Sequence, residues 1–154
     1  MEWKPDASPV TRADKAAETA LRAAIEARFP DDAILGEEHA ARPGSGKTGY
    51  SWVIDPIDGT RAFVCGRPVF GTLVGLVDGT TPVAGLIDMP MLDECYVGVG
   101  GKTVLNGAAA TTSQVTSLAR ARIASTAPEA LLPDSLAAFN RMVDQAAITV
   151  YGGD

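Results

Sequence analysis

Residues 52–60 read WVIDPIDGT, a strand-like lead-in followed by a polar turn. Apolar and polar side chains alternate from Tyr50 into this stretch, which predicts a strand that delivers Asp55 at its end. Pro56 fixes one backbone angle of the turn that follows, so the carboxylates of Asp55 and Asp58 are expected to project from a rigid support. The stretch therefore predicts two acidic side chains held side by side at the end of a strand.

Acidic residues in this pattern favour a metal site. Carboxylates are hard oxygen ligands, and several in one pocket suit Mg²⁺, which retains waters for a substrate phosphate. Asp55 and Asp58 supply two such groups, Glu37 supplies a third after an earlier predicted strand, and the carbonyl of Ile57 is available as a further ligand. The same residue types also form ordinary turns, so a plain turn remains the alternative. An EF-hand loop is excluded, since no Asp or Asn ladder follows Asp58.

The next residues predict a place for a phosphate and a water. Gly59 and Thr60 offer backbone N–H groups at the start of a short predicted helix over residues 60–64, where phosphate oxygens bind well. The Thr60 hydroxyl can orient or deprotonate a water if an acceptor such as Asp14 holds it. Asp14 lies far away in sequence, in the first turn of another predicted helix.

That helix is the clearest one in the chain. Thr11 precedes Asp14 by three residues, as in a capping box, and Pro30 stops the helix soon after Phe29. Small and apolar residues recur at three-and-four spacing and predict the buried face, whereas the charged residues predict an exposed face. The predicted buried set is Ala13, Ala16, Ala17, Ala20, Leu21, Ala24 and Ile25, and the predicted exposed set is Arg12, Lys15, Glu18, Arg22 and Glu26.

Strand-like runs follow on both sides of the acidic stretch. A short one at 33–35 leads into Gly36 and Glu37, and three more at 71–77, 82–88 and 94–99 predict an antiparallel meander. The first part of the chain therefore predicts an α+β domain built on an antiparallel sheet with helices.

A polar stretch at 111–117 marks a predicted domain boundary. We assign residues 1–112 to an N-terminal metal- and phosphate-binding α+β domain. Residues 113–154 are assigned to the start of a truncated C-terminal α/β domain with a strand at 122–125, a helix at 135–146 and a second strand at 148–151. Because a sheet needs more strands than these to be stable alone, its exposed edges predict self-association, most simply a homodimer.

Composition narrows the classes of function. The chain has 154 residues with 46% hydrophobic and 21% charged, which is typical of a folded soluble protein. Its net charge of -6 provides no basic footprint for DNA or RNA, and no apolar run approaches the roughly 18–20 residues that span a bilayer. The two cysteines, Cys65 and Cys95, cannot form a disulfide framework. We expect a cytoplasmic protein without nucleic-acid or membrane partners.

Taken together, three segments resemble a known family. Residues 36–38 read GEE, residues 52–60 carry the acidic stretch, and residues 10–14 read VTRAD. This combination resembles the inositol monophosphatase superfamily of Mg²⁺-dependent, lithium-sensitive phosphatases. The resemblance covers nearly the whole chain and implies a layered α/β/α/β sandwich that hydrolyses a small phosphorylated metabolite.

The resemblance also implies a role for individual residues. Glu37, Asp55, the Ile57 carbonyl and Asp58 would bind Mg²⁺. Thr60, backed by Asp14, would activate the attacking water, with Glu37 as a further catalytic group. The amides of Gly59 and Thr60 would hold the phosphate. Hydrolysis would then be metal-assisted.

Sequence beyond the acidic stretch points to one branch of the superfamily. Residues 61–73 and 85–90 and the closing residues 151–154 resemble histidinol-phosphate phosphatases, which serve histidine biosynthesis, more than inositol phosphatases. In that branch Arg61 and Asp154 would contact substrate, Asp154 facing the histidinol amine. An inositol-1-phosphatase and a 3′(2′),5′-bisphosphate nucleotidase remain the alternatives among enzymes.

The chain departs from the family in one respect. Members carry a further C-terminal segment whose Asp completes the second metal site, and no counterpart is present in these 154 residues. A third reading is therefore a catalytically silent module that binds Mg²⁺ and phosphate. The lone histidine, His39, is predicted to be an exposed loop residue and not a general base.

Overall fold

A computed structural model of the chain describes residues 2–3, 9–127 and 131–152. In this described part the chain forms two compact units, Met1–Ala110 and Thr111–Asp154. The first unit opens with a small antiparallel ladder between β1 (Glu2–Trp3) and β2 (Pro9–Val10). No helix in the described ranges combines the length and the apolar character needed to cross a bilayer.

Helix α1 (Arg12–Arg28) follows at once and confirms the predicted capping box. The Thr11 hydroxyl accepts hydrogen bonds from the amides of Ala13 and Asp14, and the Asp14 carboxylate accepts one from the Thr11 amide. Helix formation ends at Phe29, directly before Pro30, as expected.

The predicted faces of α1 were wrong at several positions. Glu18 and Arg22 were placed among the outward-facing charges, yet the Glu18 side chain is completely buried and that of Arg22 is only 12% exposed. Four alanines of the predicted buried set are exposed, namely Ala13, Ala16, Ala20 and Ala24. Only Leu21 and Ile25 of the predicted apolar set join the hydrophobic core, in which Ile25 packs with Ile34. A buried charge is costly unless it is paired and hydrogen-bonded, so Glu18 requires partners that helical periodicity does not reveal.

The described residues of the first unit also contain a seven-stranded sheet whose strands follow one another in sequence order. Its members are β3 (Ala33–Gly36), β4 (Tyr50–Asp58), β5 (Gly71–Asp78), β6 (Thr81–Met89), β7 (Glu94–Val99), β8 (Lys102–Leu105) and β9 (Ala108–Ala110). All pairs from β4 onward are antiparallel, which confirms the predicted meander of β5, β6 and β7, while β8 and β9 were not predicted. The pair β3–β4 is parallel, so the sheet is mixed and departs from the predicted arrangement at one edge.

Strand β4 extends through the whole acidic stretch, so the predicted turn after Asp55 was wrong. Asp55 pairs with Leu73 on β5, and Asp58 pairs with Gly71. Strand β4 therefore advances by three residues where β5 advances by two, which is a β-bulge. Pro56 is fully buried inside this strand and is tolerated because a bulge leaves a residue out of the ladder.

Buried Asp32 ties the loop before β4 to the sheet. Its side chain is 5% exposed and accepts hydrogen bonds from Thr48 Oγ1 at 2.6 Å and from Trp52 Nε1 at 3.0 Å. Trp52 in turn packs against the cluster of Ile34 and Ile54. The Trp52 indole thus has a polar contact with Asp32 and apolar contacts with the core, and both hold in place the strand that carries the acidic stretch.

The second unit is a small α/β layer in its described residues. Strands β10 (Arg122–Ser125) and β11 (Ile148–Tyr151) pair in parallel, with helix α3 (Pro133–Val143) between them in sequence. Both strands have the predicted bounds, whereas α3 begins two residues before and ends three residues before the helix predicted at 135–146. The helix starts at Pro133, whose ring suits the first helical turn. A 3-10 turn at Leu118–Arg120 precedes β10.

Candidate active site

The bulge in β4 brings the acidic side chains together. In a regular strand, residues three apart point to opposite faces, so Asp55 and Asp58 would diverge. The extra residue shifts the alternation, and the negative charges of Asp58 and Glu37 both act on Asp55. Glu37 comes from the turn after β3, which lies beside β4 in the sheet. Parallel pairing of β3 with β4 therefore places three carboxylates at one end of the sheet.

Asp55 is the most perturbed of these groups. Its Oδ1 atom is buried and has no hydrogen-bond partner within the described structure. Burial, the charge of Glu37, a hydrogen bond with Glu37 and the charge of Asp58 together raise the pKa of Asp55 to about 7, against a lowering by the Ile57 amide. Two carboxylates that share a hydrogen bond hold one proton between them. A bound cation could balance their negative charge in place of that proton.

These observations fit a Mg²⁺ ion. The donor atoms are all oxygens, which Mg²⁺ prefers. Asp55 Oδ1 makes no hydrogen bond in the described structure and is therefore available to bind an ion. Glu37 and Asp58 are both exposed, so their side chains are accessible to solvent ions. As they stand, however, no three His, Cys, Asp or Glu side chains of the described chain are grouped closely enough to hold a metal.

The predicted water-activating pair is in contact. Thr60 is the first residue of helix α2 (Thr60–Val64), and its Oγ1 lies 3.4 Å from Asp14 Oδ1. Asp14 is 1% exposed, and its other oxygen, Oδ2, accepts from the Thr11 amide at 2.8 Å and the Thr11 hydroxyl at 2.6 Å. The capping box thus fixes the carboxylate that faces Thr60.

The Ile57 carbonyl, predicted as a metal ligand, has a hydrogen-bond donor nearby. Thr60 Oγ1 lies 3.1 Å from this oxygen, so the hydroxyl has two acceptors for its one proton. A carbonyl oxygen carries two lone pairs, and one remains for another partner. Gly59, the predicted phosphate-binding residue, has a φ of 83°, a left-handed backbone that favours glycine and turns the chain from β4 into α2.

Two predicted substrate contacts differ in what the structure says of them. Arg61 is exposed on α2, next to Thr60. Asp154 lies outside the described residues.

His39 is exposed, as predicted, and its Nε2 lies 3.2 Å from both Thr19 Oγ1 and the Lys15 carbonyl of α1. Its ring docks on the helix.

The sequence interpretation missed the residues that hold the Glu37 turn. Glu18 Oε2 accepts a hydrogen bond from the Glu38 amide at 2.7 Å, and Arg22 Nη2 donates to the His39 carbonyl at 3.2 Å. Arg22 Nε also donates to Glu18 Oε1 at 2.7 Å. One signal was available in the sequence, since Glu18 follows Asp14 by four residues and so shares its helix face.

Comparison with known proteins identifies the family of the chain. The family model described as "Inositol monophosphatase family" matches residues 3–139. The chain is 41% identical over 152 residues to the bifunctional phosphatase IMPL2, chloroplastic, of Arabidopsis thaliana, a match that covers 98% of this chain and 44% of that protein. It is 39% identical over 148 residues to a histidinol-phosphatase of Chlorobaculum parvum, covering 94% of this chain and 54% of that protein.

Solved structures give the same result. An inositol monophosphatase from Zymomonas mobilis matches with a TM-score of 0.81 and 39% identity over 100% of this chain and 59% of that one. This match confirms the α+β fold of the inositol monophosphatase type. The chain spans about half the length of the curated relatives described above. It belongs to the inositol monophosphatase family.

Proposed function

We propose that this chain carries the metal-binding and water-activating centre of a Mg²⁺-dependent phosphomonoester hydrolase. The observation that carries the proposal is that a cluster of carboxylates and a hydroxyl–carboxylate pair lie near the same bulge of β4. The carboxylate of Asp55, close to Glu37 and Asp58, lies a few residues before Thr60, whose hydroxyl faces the buried Asp14. Family membership supports the same reaction class, since the matched relatives include proteins named as phosphatases.

Glu37, Asp55, Asp58 and the Ile57 carbonyl are proposed to hold Mg²⁺. When bound, the ion would supply Lewis acidity toward a phosphoryl oxygen and lower the pKa of a coordinated water. The protein's contribution is to bring these carboxylates to the same end of the sheet, where Glu37 hydrogen-bonds to Asp55 and the charge of Asp58 acts on it. It does so at a cost, because the like charges around Asp55 disfavour the metal-free arrangement.

Thr60 and Asp14 are proposed to position the attacking water. When the Thr60 hydroxyl donates its hydrogen bond to Asp14, its oxygen can accept a hydrogen bond from a water. As the water attacks, its proton would pass to Thr60 Oγ1 while the Thr60 proton passes to the Asp14 carboxylate. Asp14 is suited to this role because Thr11 fixes its other oxygen. The amides of Gly59 and Thr60 are proposed to bind the phosphate, with the left-handed Gly59 setting their direction.

For the substrate we propose histidinol phosphate. Residues 61–73 carry the sequence on which this choice rests, and relatives named histidinol-phosphatase support it at 37–39% identity. Arg61, exposed beside Thr60, and Asp154 are the proposed substrate contacts. A carboxylate opposite the ammonium of histidinol is the chemical reason for including Asp154. A homodimer and a cytoplasmic location stay predictions from the sequence.

Inositol phosphate is a second candidate, favoured by the 39% identity to the inositol monophosphatase of known structure. The two candidates share the metal and water machinery and differ only in the leaving group. Arg61 and the residues after it are the part of this chain that is expected to separate them.

The proposal is tested by release of inorganic phosphate from the purified chain with Mg²⁺. Histidinol phosphate, inositol-1-phosphate and a 3′-phosphoadenosine nucleotide are compared at equal concentration, with Asp55→Asn as the inactive reference. Turnover that prefers histidinol phosphate and is lost in the variant supports both reaction and substrate. Preference for another substrate contradicts the substrate assignment alone. Mg²⁺ binding without release from any of the three would identify a silent module.

A further inference from the structure

Helix α1 reaches the candidate metal site at two places. Asp14 in its first turn faces Thr60, and one turn later Glu18 contacts the peptide that follows Glu37. The second contact is unexpected, because Glu18 is far from the acidic residues in sequence and belongs to no motif identified above. Its side chain is 0% exposed, which is rare for a glutamate and demands a reason.

We propose that Glu18 is a positioning residue for the metal site: by holding the Glu38 amide, it fixes the direction in which Glu37 presents its carboxylate. The amide in question belongs to the peptide bond between Glu37 and Glu38, so the 2.7 Å hydrogen bond to Glu18 Oε2 restrains rotation directly after the Glu37 Cα atom. This inference rests on the proposed function, which assigns Glu37 to the metal.

The Glu18 carboxylate is in turn held by Arg22. Arg22 Nε donates to Glu18 Oε1 at 2.7 Å, and the two side chains are 12% and 0% exposed, so this ion pair is shielded from solvent. The Arg22 guanidinium also donates to the carbonyl of His39 at 3.2 Å. The Glu18–Arg22 ion pair therefore binds the turn at two backbone groups, the Glu38 amide and the His39 carbonyl. The His39 ring, docked on Lys15 and Thr19, adds a third attachment.

The other end of the turn is also fixed. Ile34 and Arg42 exchange backbone hydrogen bonds of 2.9 and 2.8 Å, which join the two ends of the segment that contains the Glu37 turn. Gly36 lies directly before Glu37 in this segment, and a Cβ added there would overlap the Glu18 carboxylate and approach Arg22 Nη2 to 2.8 Å. The ion pair thus packs directly on the Gly36 backbone, and only glycine leaves room for it.

This arrangement makes a specific statement about Glu37. Its carboxylate is exposed, and an exposed glutamate side chain ordinarily samples several rotamers. A fixed backbone limits the positions that the carboxylate can reach and keeps it within hydrogen-bonding reach of Asp55. Loss of the Glu18 contact is expected to weaken metal binding because outer partners that orient ligands typically contribute roughly 10–100-fold in affinity.

The test measures Mg²⁺ affinity by calorimetry on the metal-free chain, together with thermal unfolding. Glu18→Gln keeps the shape of the side chain, but its NH₂ group must face either the Glu38 amide or the Arg22 guanidinium, both of which are donors. Gly36→Ala leaves Glu18 itself unchanged, but the added methyl group displaces the Glu18 carboxylate. Both are expected to raise the Kd for Mg²⁺ by about 10–100-fold. Excess Mg²⁺ is expected to restore phosphate release in both, which a general loss of folding would not permit.

A matched control is available on the same helix. Glu26 also pairs with an arginine, Arg42, but at 3.4 Å and with 43% of its side chain exposed. Glu26→Gln is expected to leave the Kd for Mg²⁺ within about twofold of wild type, since exposed ion pairs contribute little. Asp55→Asn serves as the reference that loses binding altogether.

The outcomes separate the two proposals. Wild-type Mg²⁺ affinity in folded Glu18→Gln and Gly36→Ala, with binding lost in Asp55→Asn, would overturn the role of Glu18 and leave the proposed function intact. Unchanged affinity in Asp55→Asn would overturn both. If the two variants fail to fold, hydrogen exchange of wild type decides: a Glu38 amide that exchanges at the rate of an unprotected loop contradicts the proposal.

Discussion

Thr60 Oγ1 and Asp14 Oδ1 lie 3.4 Å apart although 46 residues separate them in the chain. Asp14 serves two purposes at this point, since its Oδ2 completes the capping box of α1 with Thr11. One carboxylate thus starts a helix and faces a hydroxyl at the start of another. The position of the carboxylate that faces Thr60 is therefore set by a helix cap, one of the most local features a sequence can specify.

Replacing the Thr60 hydroxyl is expected to impair turnover without weakening metal binding. Thr60→Val keeps the shape of the side chain but removes the group that faces Asp14, so phosphate release should fall by roughly 10²–10⁴-fold, the range for loss of proton-transfer catalysis. Thr60→Ser retains the hydroxyl and should keep most of the activity. Steady-state phosphate release and calorimetric Mg²⁺ titration measure the two effects. Equal activity of the Val and Ser variants would contradict the role of Thr60.

Gly59 is expected to matter for both stability and activity. Its φ of 83° lies in the left-handed region, where an added Cβ costs about 1–2 kcal/mol. Gly59→Ala should lower the free energy of unfolding in urea by that amount and reduce phosphate release, because Thr60 follows directly.

Gly107 provides the matched control for this change. Its φ is also 83°, and an added Cβ would have no neighbour within 4 Å. Gly107→Ala should therefore lose a similar amount of stability, again about 1–2 kcal/mol, while phosphate release remains near wild type. Similar activity losses in both alanine variants would mean that Gly59 acts through stability alone.

Local sequence patterns were sufficient for much of this fold. The capping residues Thr11 and Asp14 located the start of α1, and strand-like runs separated by turn residues located β5, β6 and β7. These signals work because each depends on residues only a few positions apart. The short helix at Thr60–Val64 was also predicted, and the structure adds that a left-handed Gly59 marks its start.

The bulge and the burial of Glu18 could not be predicted in this way. Whether Asp55 pairs with Leu73 and Asp58 with Gly71 depends on the register between two strands, which no single segment specifies. Glu18 is buried because the turn that follows β3 supplies an amide 20 residues away. Both facts concern the candidate site, and both arise from contacts between distant segments that only the folded chain brings together.

Asp32 is expected to support the fold and not the chemistry. Asp32→Ala leaves the Trp52 indole N–H and the Thr48 hydroxyl without their acceptor, which should cost about 1–3 kcal/mol of unfolding free energy. Urea unfolding followed by tryptophan fluorescence measures the loss. Asp31→Ala is the control, because Asp31 is a neighbouring carboxylate whose contact with Lys47 is solvent-exposed, and its loss should be smaller. Equal losses in the two variants would show that burial of Asp32 is unimportant.

Asp55→Asn is expected to stabilise the metal-free chain while removing its response to Mg²⁺. The carboxylate of Asp55 is partly buried, has one unpartnered oxygen and faces the charges of Glu37 and Asp58. A neutral amide removes the repulsion and offers Glu37 a hydrogen-bond donor, so the thermal midpoint should rise. Wild type should instead gain about 2.7 kcal/mol when Mg²⁺ is present at a hundred times its Kd. Thermal unfolding with and without Mg²⁺ measures both effects.

Asp78→Asn is the matched control for this experiment. Asp78 lies on the same β4–β5 ladder, paired with Tyr50 at the opposite end from Asp58, and is exposed. Its replacement should change neither the metal-free midpoint nor the Mg²⁺ response. If Asp55→Asn were less stable than wild type without metal and still responded to Mg²⁺, the carboxylates around the bulge would be structural. A gain in stability confined to Asp55→Asn would mean that the fold tolerates an unfavourable cluster of charge that Mg²⁺ relieves.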